Sequence, residues 1–294
     1  MQIKVCKNEV KTVKNIKGGE FTGERALFAS SDLKIENAHF HSGESPLKES
    51  SGIELLGCKF SWKYPLWYCK SVSAFDTLFE ETARSGIWYT HGISIADSVI
   101  DAPKTFRRSS GIRLTNVRMP NALESMWNCS DVELRDVYIK GDYFGFGSMD
   151  IVADGLEVDG NYLFDGGKNI TVKNSRLISK DAFWNCENVT VENCYIEGEY
   201  LGWNSKNVTL IGCTVESNQG MCYMDNVTLR DCKLVNTDLC FEYCTVDAEI
   251  SSHVDSVKNP ISGRIVAESI GEIIHEPDRV DVTKTTITEV KKNV

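Results

Sequence analysis

A three-residue phrase, asparagine followed by an apolar residue and threonine, recurs at a constant interval in the second half of the chain. It begins at Asn169, Asn188, Asn207 and Asn226. The interval, about 19 residues, is in the range that is typical of proteins built from stacked repeats. The same frame continues with weaker similarity from about Leu27 to about Ile274, so we predict one repeat domain rather than two globular ones.

The phrase is also the acceptor pattern for N-linked glycosylation, and a fifth copy begins at Asn128. Glycosylation requires secretion, but the first five residues precede charged residues and form no apolar signal segment. No stretch approaches the roughly 20 apolar residues of a membrane span. We therefore expect a cytoplasmic protein with no membrane partner, in which the recurring asparagines have a structural role.

Each repeat contains three short apolar segments of alternating pattern. In the repeat that begins at Phe183, these are residues 183–186, 189–191 and 194–196. Segments this short and rich in β-branched residues are typical of strands. Helical repeats need more than about 30 residues per unit. The period therefore predicts an all-β fold, a parallel β-helix of about 12 turns with roughly 19–20 residues per turn.

The asparagine position of the repeat is held elsewhere by residues that share one property. These are Asp32, Gly52, Gly92, Gly111, Asp131 and Asp150. Glycine, asparagine and aspartate tolerate left-handed backbone angles better than other residues. We therefore predict a tight corner at this position of every turn, with the asparagine side chains hydrogen-bonded from one turn to the next.

Most of the 11 cysteines fall into two columns that also accept serine or valine. One column holds Cys58, Cys194, Cys213 and Cys232 with Ser98, Ser175 and Val137, and the other holds Cys69, Cys129 and Cys186 with Ser50, Ser109 and Ser205. Such a column is a small buried slot, where free cysteine behaves as a small hydrophobe. No cysteine lies in a C-x-x-C or Cys/His cluster, and His39 and His41 share one side of a strand without a third ligand. We expect reduced thiols, no metal and no cofactor.

Aromatic residues form a further column. It consists of Phe28, Trp67, Trp88, Trp127, Phe146, Trp184, Trp203 and Phe241. If these rings point inward, the residue after each ring points outward. The outward column then supplies the predicted ligand-binding residues Tyr68, Tyr89, Arg108, Asn185, Asn204, Tyr223 and Glu242. Asp181 and Asp238 lie four residues earlier in their turns and face the same way.

Rings, amides and carboxylates on one face are typical of a carbohydrate site, because rings pack on apolar sugar faces and polar groups bind hydroxyls. If the tryptophans point outward instead, they form the binding surface themselves. The remaining alternative is an ordinary solvated face that carries tyrosines.

The candidate catalytic residues on this face are Glu242, Asp238 and Asp181. A glycosidase needs two carboxyl groups about 5–5.5 Å apart, or about 6.5–9.5 Å apart for inversion. Asp165 is expected in the column of Glu242, but four turns at about 4.8 Å separate the two. Asp181 is expected too far along its strand from Asp165. Because no pair has the required spacing, enzymatic activity stays open, with glycoside hydrolase or polysaccharide lyase chemistry as the classes considered.

The net charge of −10 disfavours nucleic acids and other polyanions as partners, because these bind basic surfaces. Three interpretations remain. The first and favoured one is carbohydrate recognition or processing. The second is a scaffold that presents a surface to another protein, and the third is an enzyme that acts on a small metabolite. The sequence assigns no oligomeric state.

Longer phrases resemble the bacterial domain-of-unknown-function 3737 family. They include KYPLWYCK from Lys63, IWYTHG from Ile87 and DLCFEYCTVDAEI from Asp238. The resemblance extends to about His275 and implies a right-handed parallel β-helix similar to pectin lyases, without an established activity. We assign residues 1–275 to a single β-helix domain, with an N-terminal cap at 1–25 and a C-terminal tail at 276–294.

Overall fold

Short strands stack in parallel along the whole described chain. The computed structural model describes residues 13–290, and every strand pairing within them is parallel. This part of the chain contains no α-helix, only the 3-10 segments Glu81–Ala83 and Val282–Lys284. None of its helical segments has the length and apolar character needed to cross a membrane.

The described residues form 26 strands. They are β1 (Lys14–Lys17), β2 (Glu20–Phe21), β3 (Ser31–Glu36), β4 (His39–Phe40), β5 (Ser51–Leu56), β6 (Lys59–Phe60), β7 (Lys70–Phe75), β8 (Leu78–Phe79), β9 (Ile87–Trp88), β10 (His91–Ile100), β11 (Phe106–Arg107), β12 (Ser110–Met119), β13 (Ser130–Lys140), β14 (Met149–Asp159), β15 (Lys168–Lys173), β16 (Arg176–Ile178), β17 (Glu187–Glu192), β18 (Tyr195–Glu197), β19 (Lys206–Ile211), β20 (Thr214–Glu216), β21 (Asp225–Val235), β22 (Thr245–Ile250), β23 (His253–Lys258), β24 (Ser262–Ala267), β25 (Ser269–Ile274) and β26 (Thr285–Glu289).

One parallel ladder contains one strand from every turn, so the number of its strands equals the number of turns. It runs through β1, β3, β5, β7, β10, β12, β13, β14, β15, β17, β19, β21, β22, β24 and β26. The fold is thus a parallel β-solenoid of about 15 turns with about 19 residues per turn. The sequence estimate of about 12 turns was too low, because the last turns have lost the repeat pattern and β1 lies before Leu27, where the recognised repeats begin.

The ends of the chain take part in the same ladder. β26 lies inside the segment 276–294, which the sequence assigned to a tail, and it pairs with β24. β1 lies inside the predicted cap at 1–25 and pairs with β3. Residues 1–12 of that cap lie outside the described residues.

The predicted corner is confirmed, and we call it the first corner. All ten of its predicted positions have positive φ, from 51° at Asp32 to 74° at Gly92. Its asparagines form the predicted ladder: the Asn226 amide donates to Asn207 at 2.9 Å, and Asn207 donates to Asn188 at 2.9 Å. The ladder continues through Asn169 to Asp150.

Three further columns repeat a left-handed angle in almost every turn. The second corner holds Asn37, Gly57, Asp76, Asp97, Asn116, Asp136, Gly155, Asn174, Asn193, Gly212 and Asp231. The third corner holds Arg25, Ser45, Tyr64, Ser85, Lys104, Glu124, Tyr143, Tyr162, Asp181, Tyr200, Gln219 and Leu239. The fourth corner holds Ala29, Glu49, Tyr68, Tyr89, Arg108, Asn128, Gly147, Gly166, Asn185, Asn204, Tyr223 and Tyr243. Backbone hydrogen bonds align each column from turn to turn, as from Tyr68 to Trp88.

The core consists of stacked columns of like side chains. Phe21, Phe40, Phe60 and Phe79 stack with ring centroids 4.6–5.0 Å apart. The predicted cysteine slots are confirmed, because all ten described cysteines are buried and free. Burial raises the pKa of the Cys69 thiol to about 11 and that of Cys186 to about 12, so these thiols stay protonated and unreactive at neutral pH.

The first corner makes a direct prediction about stability. Asn207 has φ 53° and takes part in two amide–amide hydrogen bonds. We expect Asn207→Val to lower the unfolding free energy by about 1–3 kcal/mol, because valine is strained at this angle and breaks the ladder. Asn207→Gly keeps the angle and loses only the ladder, so it should cost less. Chemical denaturation of the three proteins measures both effects. An unchanged Asn207→Val protein would contradict this account of the corner.

Candidate functional site

The four corners differ in the residues that they use. The first and second corners consist almost entirely of glycine, asparagine and aspartate, which adopt left-handed angles at low cost. The third and fourth corners instead carry tyrosine, arginine, lysine and glutamate at the same angles, as at Tyr162 (φ 59°) and Tyr223 (φ 58°). Strained angles at such residues persist where the side chain has another role, and they cluster at functional sites. The third and fourth corners are therefore the place to look for one.

A column of large side chains runs between these two corners, and we call it the ribbon. It holds the residue before each position of the fourth corner: Phe28, Lys48, Trp67, Trp88, Arg107, Trp127, Phe146, Asp165, Trp184, Trp203, Cys222 and Glu242. The tryptophans are half-buried, so they point neither fully inward nor fully outward. The indole N–H groups of four of them, Trp67, Trp88, Trp127 and Trp203, donate to third-corner carbonyls of the next turn, as from Trp127 to Tyr143 and from Trp203 to Gln219, both at 2.8 Å.

The register of the ribbon corrects four sequence assignments by one residue. Asp165 and Glu242 were placed in the outward column, but Gly166 and Tyr243 hold those fourth-corner positions. Phe241 was placed among the ribbon rings, but it is fully buried one residue before the ribbon. Asp238 was aligned with Asp181, but Leu239 takes that third-corner position. The physical reason is that turns vary by a residue or two in length, so a fixed count drifts out of register.

Glu242 and Asp238 lie one residue away from the columns in which the sequence placed them. Glu242 is buried, and its carboxylate forms an ion pair with the Lys258 ammonium at 2.9 Å. Burial, followed by the charge of Glu242, raises the pKa of the neighbouring Tyr223. The Oδ1 atom of Asp238 is buried without a hydrogen-bond partner. Glu242 therefore has the contacts of a structural ion pair at the end of the ribbon.

Asp181 of the third corner interacts electrostatically with a second buried carboxylate, Asp165, which lies in a gap of the ribbon. We call this part of the structure the notch. At Asp165 the ribbon carries a small acid instead of a ring, between Phe146 and Trp184. Asp165 is 9% exposed and Asp181 is 4% exposed. The sequence had placed Asp165 and Asp181 too far apart to act together, but the charge of Asp165 contributes to the electrostatics of Asp181.

The remaining groups of the notch hold the two acids in place. The Asn185 amide donates to Asp165 at 3.0 Å, and Tyr162 hydrogen-bonds to Asp181. Burial raises the pKa of Asp181, and the charges of Glu199 and then Asp165 add smaller contributions in the same direction. The charge of Asp181 in turn raises the pKa of the Tyr162 hydroxyl. The notch is a buried cluster of two acids, a phenol and an amide.

Before the notch, the faces of the aromatic rings are covered. Trp67 and Trp88 stack in parallel, 8° apart, and the Arg107 guanidinium lies 4.6 Å from the centroids of both Trp88 and Trp127. In the fourth corner, Tyr68 stacks on Tyr89 at 4.8 Å and 5°. Arg108 is exposed at the fourth corner of the same section.

Lys48 covers the Tyr68 ring as well, because its ammonium lies 5.5 Å from the ring centroid. Tyr68 and Tyr89 were predicted to bind ligand. They occupy the expected corner, but their rings stack on each other, and Lys48 lies over the ring of Tyr68.

After the notch, the rings are turned against one another. Trp203 meets Trp184, Tyr200 and Tyr223 at 62°, 65° and 63°, so none of these rings lies parallel against it. We call these four residues the platform. Asn185 and Asn204 lie beside it in the fourth corner, where the Asn204 amide donates to Asn185 at 2.8 Å. The structure thus brings together four predicted residues: Asp181, Asn185, Asn204 and Tyr223.

An open cleft of about 680 Å³ borders the third corner along four turns. Its lining includes Asp142, Asn161, Lys180 and Glu199, which directly precede Tyr143, Tyr162, Asp181 and Tyr200 in sequence. Lys180 pairs with Glu199 at 3.0 Å, so this cation is neutralised. The floor requires glycine, because a Cβ at Gly198 would overlap the Ser179 carbonyl oxygen.

The sequence search missed one pair of carboxylates on neighbouring turns. Glu197 and Glu216 are aligned on β18 and β20, and both lie 3.1 Å from the Tyr195 hydroxyl. Burial and these two hydrogen bonds raise the pKa of Tyr195 to about 12. Arg176 and Asn236 contact the outer sides of the pair. Because each carboxylate is bound by these neighbouring side chains, the pair has the contacts of a structural hydrogen-bond network between turns.

Comparison with protein families identifies the chain. A family model described as "Protein of unknown function (DUF3737)" matches residues 14–288. The chain belongs to the DUF3737 family. This confirms the resemblance found in the sequence. No curated protein is similar enough to this DUF3737 protein to match.

Several solved structures are similar to the DUF3737 chain at low identity. The A-module of mannuronan C-5 epimerase AlgE4 from Azotobacter vinelandii has a TM-score of 0.42 and 12% identity, over 81% of this chain and 90% of that one. The surface adhesin PfbA of Streptococcus pneumoniae has a TM-score of 0.40 and 10% identity, over 81% and 86%. The catalytic domain of a GH87 α-1,3-glucanase in complex with nigerose has a TM-score of 0.28 and 11% identity, over 94% and 63%. Likeness at this level carries no conclusion about the site.

The raised pKa of Asp181 predicts a pH-dependent stability. A buried acid with a raised pKa destabilises the folded protein when it is ionised. We expect Asp181→Asn to raise the unfolding free energy by on the order of 1 kcal/mol at pH 7, since asparagine fits the left-handed angle and carries no charge. The gain should shrink as the pH falls through the raised pKa of Asp181 and vanish below its ordinary value of 3.8.

Thermal denaturation of both proteins between pH 3.5 and pH 7.5, a window of about four units around that titration, measures this difference. Asp76→Asn, at an exposed position of the second corner with φ 50°, is the matched control for an aspartate–asparagine exchange at a left-handed position. A lower stability of Asp181→Asn at pH 7 would show that the carboxylate is a stabilising partner and would contradict this description of the notch.

Proposed function

We propose that this DUF3737 protein binds a neutral glycan chain on the platform and in the notch. The observation that carries the proposal is the change of ring orientation along the ribbon. Trp67 and Trp88 lie 8° from parallel, Trp127 and Phe146 are tilted by 46°, and after Asp165 the rings meet at 62° and 63°. It is after Asp165 that two buried carboxylates and two amides lie beside the rings. Aromatic faces beside a few oriented polar groups are what a sugar ligand requires.

The proposed contacts divide between the two parts of the site. Trp203 and Tyr223 pack against the apolar faces of sugar rings, because their own faces are not stacked in parallel on protein neighbours. Asp165 and Asp181 accept hydrogen bonds from sugar hydroxyls. Asn204, which is exposed, extends this polar row towards the platform. The proposal includes binding only and no cleavage of a sugar bond.

The charge of the site favours a neutral ligand over an acidic one. The notch contributes two carboxylates, and the nearby Lys180 is paired with Glu199. The chain as a whole carries a net charge of −10. A polyanionic saccharide would need a basic surface, as nucleic acids do. We therefore propose a chain of neutral sugars as the ligand class.

Two tyrosines of the fourth corner provide a matched pair of variants. Tyr223 and Tyr68 have the same φ of 58°, and their exposed fractions are 44% and 45%. Asparagine already occupies this corner at Asn185 and Asn204, so it fits both positions. Tyr68 differs in that Tyr89 lies parallel on its ring, with the Lys48 ammonium also over the ring, whereas Trp203 and Tyr243 meet Tyr223 at 63° and 44°.

We expect a neutral hexasaccharide to bind the wild-type protein in calorimetric titrations with cellohexaose, maltohexaose and laminarihexaose. Tyr223→Asn should weaken that binding about tenfold, equivalent to about 1.4 kcal/mol, because one ring–sugar contact is lost. Tyr68→Asn should bind as the wild type does. Equal affinity of Tyr223→Asn and the wild type, or equal losses in both variants, would contradict the platform as the site. A panel without any binding would favour the scaffold interpretation instead.

A further inference from the structure

Three metal-ligating side chains meet on the first turns of the solenoid, several turns away from the notch. The sequence placed His39 and His41 on one side of a strand and found no third ligand. The parallel register supplies one from the preceding turn, because Glu20 on β2 pairs with His39 on β4. We propose that Glu20, His39 and His41 form a binding site for one zinc ion or a similar divalent transition-metal ion. This site is independent of the proposed glycan site.

The distances between the ligand atoms suit a single ion. One ligand atom from each of the three side chains lies within 4.8 Å of the others. His39 Nδ1 lies 3.4 Å from Glu20 Oε2, and His41 Nε2 contacts the same carboxylate oxygen. Two ligand atoms that are each about 2.1 Å from a tetrahedral zinc ion lie about 3.4 Å apart. The separation of His39 Nδ1 and Glu20 Oε2 therefore matches a shared ion.

A second layer of contacts orients His39 for this role. Its Nε2 atom lies 2.6 Å from the Ser61 hydroxyl oxygen, and Ser61 hydrogen-bonds in turn to the Glu80 carboxylate. Because Glu80 accepts from Ser61, the Ser61 oxygen accepts from the His39 Nε2–H group. That tautomer leaves the Nδ1 lone pair facing Glu20 and His41. Metal-binding histidines characteristically donate their other ring N–H in this way.

The nearby cation does not oppose a metal ion. Lys59 is aligned with His39 on the next turn, but its ammonium pairs with Glu80 at 2.6 Å. The three proposed ligands remain within reach of solvent, with side-chain exposures of 68% for Glu20, 24% for His39 and 36% for His41. Two histidines and one carboxylate leave a coordination position for water, as in open zinc sites.

The rival explanation is an ion pair between Glu20 and protonated histidines without a metal. His253 shows that arrangement elsewhere: it lies 3.6 Å from Asp255 and contacts Ser269, with no third ligand among the described residues. His253 is therefore a matched control, since it is an exposed histidine with a carboxylate and a serine beside it.

The test is calorimetric titration of the tag-free full-length protein with zinc chloride after dialysis against a chelator. We expect one zinc ion per chain. Glu20→Gln and His41→Gln should each lower the affinity at least 100-fold, while Ser61→Ala should lower it about tenfold through the misoriented His39 ring. His253→Gln should leave the affinity unchanged. Zinc should raise the melting temperature of the wild type and not that of Glu20→Gln.

Several outcomes would overturn the proposal. These are no zinc binding at one site per chain, unchanged affinity in Glu20→Gln or His41→Gln, or a loss in His253→Gln equal to theirs. Circular dichroism of each variant checks that it folds. If a ligand variant does not fold, Ser61→Ala decides instead, since an affinity equal to that of the wild type would then contradict the site.

Discussion

The structure depends on left-handed corners that recur in register. A chain of short strands closes into a coil only if it turns sharply at the same places in every turn, and a left-handed residue makes such a turn within one position. At the first corner, the amides of Asn188, Asn207 and Asn226 also bond each turn to the one before. Because the corners fix the register, they also fix which side chains stack in the core and on the surface.

The third and fourth corners use this register at a cost. Tyrosine, arginine and lysine at left-handed angles store strain of order 1–3 kcal/mol per residue. Stacking offsets part of it, since Tyr143 and Tyr162 lie 4.4 Å apart and 2° from parallel. Asp165 replaces a ring in the ribbon between these corners, and the third corner holds the second buried acid, Asp181. The proposed glycan site lies where the backbone is strained and the ring stack is broken.

The proposed metal site follows from the same register. Glu20 and His39 belong to different turns and meet only because β2 and β4 pair residue by residue. In a solenoid, sites form across turns, between residues that are one full repeat apart in sequence. The two proposed sites lie several turns apart and share no residue.

Much of this architecture was predictable, and the failures have physical reasons. The period, the first corner with its Asn207 ladder and the cysteine slots such as Cys213 follow from side chains that repeat at one position. The third and fourth corners could not be predicted from the sequence, because a tyrosine gives no indication of a left-handed backbone angle. Glu242 was misplaced because the turn after Tyr223 is longer than the repeat by one residue, so Tyr243 takes the expected position. An error of one residue in the predicted register places a side chain on a different face of the solenoid.

The acid pair and the third metal ligand were missed for a related reason. Counting positions along a strand missed the interaction of Asp165 with Asp181, because the two residues lie on neighbouring turns and interact across the stack. Similarly, a third metal ligand for His39 and His41 was sought only within their own strand, whereas Glu20 lies on the preceding turn. Contacts across corners and turns depend on a register that a constant repeat period does not supply.

The most direct test of the account is a crystal structure of the protein soaked with the hexasaccharide that binds most tightly. The account predicts sugar rings packed on Trp203 and Tyr223, with a hydroxyl group within hydrogen-bonding distance of Asp165 or Asp181. A saccharide bound only in the cleft that is floored by Gly198, or against the stacked rings of Tyr68 and Tyr89, would contradict it.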